Sequence, residues 1–226
     1  AREAALSLEE LLVQVRRLPE PGWDRFFLPP LLEQVVPAAA GGPVVIVNVA
    51  DRRCDALIVT EGGVTNLELP SLIEDDAIAN TNRFLGAIDI LYDRDSTPAD
   101  LASARVEVWR VCGWLWDTVA GPVLKHLGHN RARTDRDYPG WPRVWWIPTG
   151  PLTLLPLHAA GHHAHPDQPG QVRRDRTVID RVVSSTTPTL SALLQARTRA
   201  VSPLGIQRVL VAGLVDTPDV AGTAVA

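Results

Sequence analysis

The run Arg143 to Ala160, RVWWIPTGPLTLLPLHAA, most constrains what this chain can fold into. It starts with Val144 to Ile147, a stretch of β-branched and aromatic side chains suited to a strand. Pro148, Gly150 and Pro151 punctuate it. Leu152 to Leu157 then reads as a second short strand or an extended segment. Gly161 and the cluster His162, His163 and His165 follow directly, so chemistry is sought here first.

The rest of the chain supplies further strands and helices. Val44 to Val49 is nearly all β-branched and apolar, as expected for a strand buried on both faces. Ala56 to Thr60 and Val64 to Leu69 flank a Gly62-Gly63 turn and read as a hairpin. Val178 to Val183 and Val209 to Val211 complete the predicted strands. Helical spacing marks Ala5 to Leu18, a short piece at Leu31 to Ala40, Ile73 to Leu91 and Thr189 to Ala200. Ser71 and Glu74 match a capping box ahead of the third of these. From Asp100 a long stripe of Val106, Trp109, Cys112, Trp116, Val119 and Val123 repeats at three and four, which is a core pattern. Pro122 would clash with the carbonyl of Thr118, so a kink or two shorter helices are expected there. Trp23, Phe26 and Phe27 sit in the connection from Pro19 to Pro30, where they plug a core edge. The polar stretches 126–141 and 162–176 read as loops. Strands separated by helices indicate an α/β sandwich around a mixed sheet.

Composition narrows the classes. With 46% hydrophobic residues and no apolar run approaching about 18 positions, the chain is globular and lacks a membrane span. Glu3, Glu9 and Glu10 occupy the place of a basic signal-peptide region, so no signal peptide is visible, and Cys54 and Cys112 as buried reduced thiols make a cytoplasmic protein the expectation. The start at Ala1 and the end at Ala226 point to a piece of something longer. Formal charge is -4 overall but uneven: 19 acidic against 10 basic residues up to Asp117, then 12 basic against 7 acidic. The basic half could face the acidic half or an acidic partner. Its cations are not interleaved with aromatics, which argues against nucleic acid.

No complete catalytic set is visible. Cys54 and Cys112 lie far apart in apolar patterns, as buried reduced thiols do, although Cys54 follows a tight turn that could expose it. No CxxC supports a zinc or redox site. The six histidines, His126, His129, His158, His162, His163 and His165, fall within one stretch, and imidazole suits zinc. They lack HExxH and a nearby Cys or Glu, so surface histidines are the expectation, with His158 as a buried hydrogen-bonding residue. Ser184 and Ser185 follow a predicted strand but lack the Gly-x-Ser-x-Gly elbow. Neither GxGxxG nor a P-loop occurs. No catalytic, cofactor-binding or metal-binding residue is therefore assigned.

RVWWIPTGPLTLLPLHAAG resembles the strand, hairpin and Leu-Pro-Leu segment of CHAT domains of the actinobacterial type. Companion stretches occur in order: GPVVIVNVADRRCDALIV at Gly42, LWDTVAGPVLKHLG at Leu115, SSTTPTLSALLQAR at Ser184 and VLVAGLVDTP at Val209. The resemblance implies a three-layer caspase-like sandwich around a mixed sheet, incomplete here. An N-terminal helical segment (1–40) and a β-hairpin extend it, and residues 41–226 form the N-terminal part of the domain. It also implies a cysteine peptidase whose His-Cys dyad follows later strands. Neither Cys54, Cys112 nor the His162 to His165 cluster inherits that dyad. The chain alone should be inactive, partnered by the downstream part of the same protein and acting on a peptide substrate. The alternative is a catalytically silent protein-interaction domain in signalling or defence.

Overall fold

A computed structural model describes residues 2–19, 23, 26, 28, 31–134, 140–163 and 176–199. Among the described residues five strands make one mixed sheet: β1 (Val44–Asn48), β2 (Asp55–Thr60), β3 (Gly63–Glu68), β4 (Arg143–Pro148) and β5 (Val183–Thr186), in the order β3-β2-β1-β4-β5. The three N-terminal strands are antiparallel, with Val59 opposite Val64 across the expected hairpin. β4 runs parallel to β1 on one side and to β5 on the other, with Val44 opposite Trp145 and Val144 opposite Ser184.

Both faces of the sheet are covered, which explains the unbroken apolar runs of β1 and β4. Val45, Val47, Ile58, Val144 and Trp146 point into the larger core, where they meet Val111, Leu115, Val119, Val123 and Leu124. Val44, Val59 and Ile147 point the other way, onto Ala38, Ala39 and Leu193. The result is three layers. Helices α3 (Glu74–Tyr92), α4 (Pro98–Leu115) and α5 (Gly121–His126) form one outer layer. The other comprises α6 (Leu190–Arg199) and a 3-10 turn at Val36–Ala39, which continues the short helix α2 (Leu32–Val35). Helix α1 (Arg2–Arg16) precedes the sheet and ties back through Arg16 Nε, which donates to the Phe26 carbonyl. Trp23 and Phe26 are half-buried ring neighbours 5.2 Å apart, while Phe27 lies outside the described residues.

The break expected near Pro122 takes a definite form. Residues Trp116–Ala120 are a π-helical turn between α4 and α5, and the Gly121 N–H reaches the Trp116 carbonyl. Pro122 has no N–H to give Thr118, so the ladder widens just ahead of it. A β-carbon on Gly121 would lie 2.8 Å from the Trp116 carbonyl oxygen and 3.2 Å from its indole nitrogen, so the close turn requires glycine. Helix α5 then ends in a Schellman motif: the His129 N–H bonds the Leu124 carbonyl, the Gly128 N–H bonds that of Lys125, and Gly128 takes φ +77°.

Several local expectations need correction. Ser71 does not cap α3. Leu72 N–H closes a turn on the Leu69 carbonyl, Ile73 is the N-cap without a side-chain bond, and Glu74, Asp75 and Asp76 face the helix dipole instead. The working capping box is Thr97 with Asp100, which starts α4 at Pro98, earlier than predicted. The Asp100 carboxyl is held below its ordinary pKa by hydrogen bonds from the Thr97 side chain and backbone. Residues 152–157 are not a strand. Pro151 and Pro156 cannot donate to a ladder, and Gly150–Leu154 and Leu157–Ala159 form 3-10 turns that bury Leu152 and Leu157. Val178 to Val182 is a turn closed by Arg181 and Val182 N–H bonds to the Val178 carbonyl, and the strand begins only at Val183. The predicted strand at Val209 to Val211 lies outside the described residues. Among the described residues no helix is long and apolar enough to cross a membrane.

Gly121→Ala is expected to lower unfolding stability by about 1–3 kcal/mol, since backbone and indole must both shift to admit a methyl. Gly86 in α3 is exposed, and a β-carbon there would meet nothing within 4 Å. Gly86→Ala is expected to raise stability by about 0.4–1 kcal/mol. Urea denaturation of the two variants checks the opposite signs.

Candidate functional site

In open α/β sheets, ligands collect beyond the carboxyl ends of parallel strands. Here that rim holds Asn48, Pro148 and Thr186, the last residues of β1, β4 and β5. Thr149 fixes it. Its hydroxyl donates to the Val47 carbonyl at 2.9 Å and accepts from the Val49 N–H at 3.3 Å, while its own N–H bonds the same Val47 carbonyl. Thr187 N–H similarly continues the β4 ladder onto the Trp146 carbonyl. A concavity of about 300 Å³ opens beside this rim between the turn 50–54 and residues 68–73. Its polar lining is Asp51, Arg52, Arg53 and Glu68; behind it Arg53 Nε donates to the buried Asp55 at 2.9 Å, and Asn66 donates to the other Asp55 oxygen at 3.2 Å.

Cys54 lies under that concavity but presents little to it. It is 4% exposed, and its thiol donates to the Ala50 carbonyl. The tight turn before it therefore does not expose it. Cys112 sits on the buried side of α4, where burial pushes its thiol pKa up to about 11. A neighbouring imidazolium would pull the other way. Among the described residues neither thiol is hydrogen-bonded to a histidine.

The histidines do not converge. His126 and His158 are exposed, which corrects the expectation that His158 is buried. His163 Nε2 lies 2.6 Å from the Ala159 carbonyl. His129 is half-buried, and desolvation together with the charge of Arg133 lowers its pKa. His165 lies outside the described residues. No group of three or more His, Cys, Asp or Glu among the described residues is placed to hold a metal ion.

His162 does enter a polar cluster that no sequence pattern announces. Its Nε2 is 2.9 Å from an Asp117 carboxylate oxygen, and Arg176 reaches both that oxygen and the same ring nitrogen at 3.0 Å. Arginine only donates, so the neutral ring either accepts from Arg176 or donates to Asp117. Two hydrogen bonds bring the three together: His162 N–H to the Arg176 carbonyl, and Gly161 N–H to the Cys112 carbonyl. The only hint in the sequence is that the LPLHAAG segment must rejoin the core. Ser184 and Ser185 lie within β5 rather than after it, and Ser185 accepts from Arg143 across the parallel pair.

A family model, the CHAT domain, matches residues 110–224. No curated protein matches the chain.

Two measurements follow from these environments. Iodoacetamide at about pH 8 should leave Cys112 unmodified in the native protein and alkylate it once the chain is unfolded, because a buried thiol of raised pKa offers almost no thiolate. Modification in the native state would contradict the packing of α4. For His129 the folded pKa lies below the ordinary value of 6.5. The unfolded chain then takes up the proton first, and stability falls as pH drops through that window. His129→Asn should flatten the change in urea midpoint between about pH 7.5 and about pH 5.5.

Proposed function

Because the chain belongs to the CHAT domain family, we propose that it is the N-terminal, dyad-free portion of a caspase-like cysteine peptidase that hydrolyses peptide bonds when joined to a downstream His-Cys half. The observation that carries this reading is the span of the family match. Residues 110–224 take in the buried end of α4 together with β4, β5 and α6, the parallel half of the sheet and a helix on each face. We extend the domain to residues 41–226 because β1 is paired on both edges and contributes to both cores. Residues 1–40 are then an N-terminal helical segment whose end, Ala38 and Ala39, packs into the smaller core.

In this reading the downstream imidazole takes the thiol proton, the thiolate attacks the peptide carbonyl, and the amine leaves with that proton, giving a thioester that water hydrolyses. The share of the present chain is positioning. The Thr149 bonds to β1 hold two parallel strand ends at a fixed separation. The concavity lined by Asp51, Arg52, Arg53 and Glu68 offers an extended substrate a polar wall. Cys54 and Cys112 stay structural.

Peptidase assays on the intact protein, on a variant with the downstream Cys changed to Ala, and on residues 1–226 alone test the proposal. Hydrolysis by the first only is expected. Cleavage by residues 1–226 alone, or by the Cys→Ala variant, would overturn it. An intact protein that cleaves nothing would assign the chain to the silent interaction role.

A further inference from the structure

A second groove, of about 490 Å³, lies at the other end of the sheet. Helix α5 comes before the amino end of β4 in the chain and Arg181 stands two residues before β5, so this groove sits away from the strands' carboxyl ends. It is lined by Trp116, Asp117, Lys125, Asn130, Arg176 and Arg181. Three cations thus face one carboxylate, and Asp117 already accepts from Arg176.

Arg181 is the unusual member. Only 8% of it is exposed, although arginine is rarely buried. Its guanidinium lies 4.7 Å from the Trp116 ring centroid and donates to the His129 carbonyl at 3.1 Å. The π turn holds Trp116 and the Schellman motif holds His129, so two irregular features of the helical layer fix this one planar fork. Lys125 is exposed, and its ammonium supplies a mobile charge at the same groove.

We propose that this groove binds a side-chain carboxylate of an acidic peptide segment. Arg181 is a fixed cation in the lining and Lys125 a mobile one beside it, a pair that suits a carboxylate, and Asn130 offers both a donor and an acceptor to the neighbouring peptide backbone. Phosphate is usually cradled by free backbone N–H groups. Here the Gly121 N–H is spent on the Trp116 carbonyl, and Pro122 has none. The charge distribution agrees: from Thr118 onward the chain carries 12 basic against 7 acidic residues. The proposal does not depend on peptidase activity.

Fluorescence anisotropy of a fluorescein-labelled hexaglutamate peptide, titrated with the intact protein at low ionic strength, tests it. Saturable binding is expected, absent for a hexaglutamine peptide and weakened about tenfold or more by Lys125→Glu. Lys125 is exposed, so that variant should stay folded, its unfolding midpoint lowered only by the loss of a favourable charge in the last turn of α5. Arg181→Lys, which retains the charge and removes the fork, should weaken binding as well. Unchanged affinity in Lys125→Glu would overturn the proposal. So would displacement of the peptide by an equal concentration of inorganic phosphate, which would make the groove a general anion site. Because the readout is binding, its failure and the failure of the peptidase reading are separate results.

Discussion

The two-sided burial of β4 is the constraint on which the remaining layers depend. Val144 and Trp146 enter the larger core while Trp145 and Ile147 face the smaller one, and the strand is paired along both edges. A strand in that position has no solvent to satisfy its backbone, so β1 and β5 must both be present for it to form. The fully buried Val and Leu side chains that meet it contribute about 1.5–3 kcal/mol each relative to exposure. Parallel pairing also forces long connections, and the one between β1 and β4 holds β2 and β3 followed by α3, α4 and α5.

The helical layer is correspondingly irregular where it meets the loops. The π turn swings the chain so that Trp116, Val119 and Val123 all stay inside, and it leaves Asp117 exposed, next to His162 and Arg176. Arg143 and Arg197 bracket the opposite face. Each guanidinium carbon is 5.6 Å from the Trp145 ring centroid, and Arg197 also donates to the Pro37 carbonyl. Arginine therefore joins layers that apolar contacts alone would leave loosely registered, consistent with a chain that uses 21 arginines and a single lysine.

Much of the sheet was legible in the sequence because β1, β2 and β4 are apolar runs bounded by Gly, Pro or polar turns, and the Gly62-Gly63 turn marks β3 as the partner of β2. The segments that were misread share one cause: buried apolar residues at irregular spacing. Val178 and Val182 are both buried, but they sit four apart in a turn where Thr177 bonds both the backbone and the carboxylate of Asp180. That Thr-x-x-Asp pattern recurs at Thr97 and caps a helix, whereas Ser71-x-x-Glu does not. The motif proposes a turn, and the flanking contacts decide whether it forms. The Asp117, His162 and Arg176 cluster could not be read at all, since residues so far apart in sequence meet only through tertiary structure.

The register of β1 with β4 also bears on how the chain folds. Val44 pairs with Val59 on one side and with Trp145 on the other. The first contact closes a short loop and the second a very long one, so the antiparallel ribbon can assemble on its own while the parallel half waits for the intervening helices. During that interval β1 presents an unpaired, strongly apolar edge. Of the two pairings of β1, the one with β4 therefore carries the larger loop-closure cost.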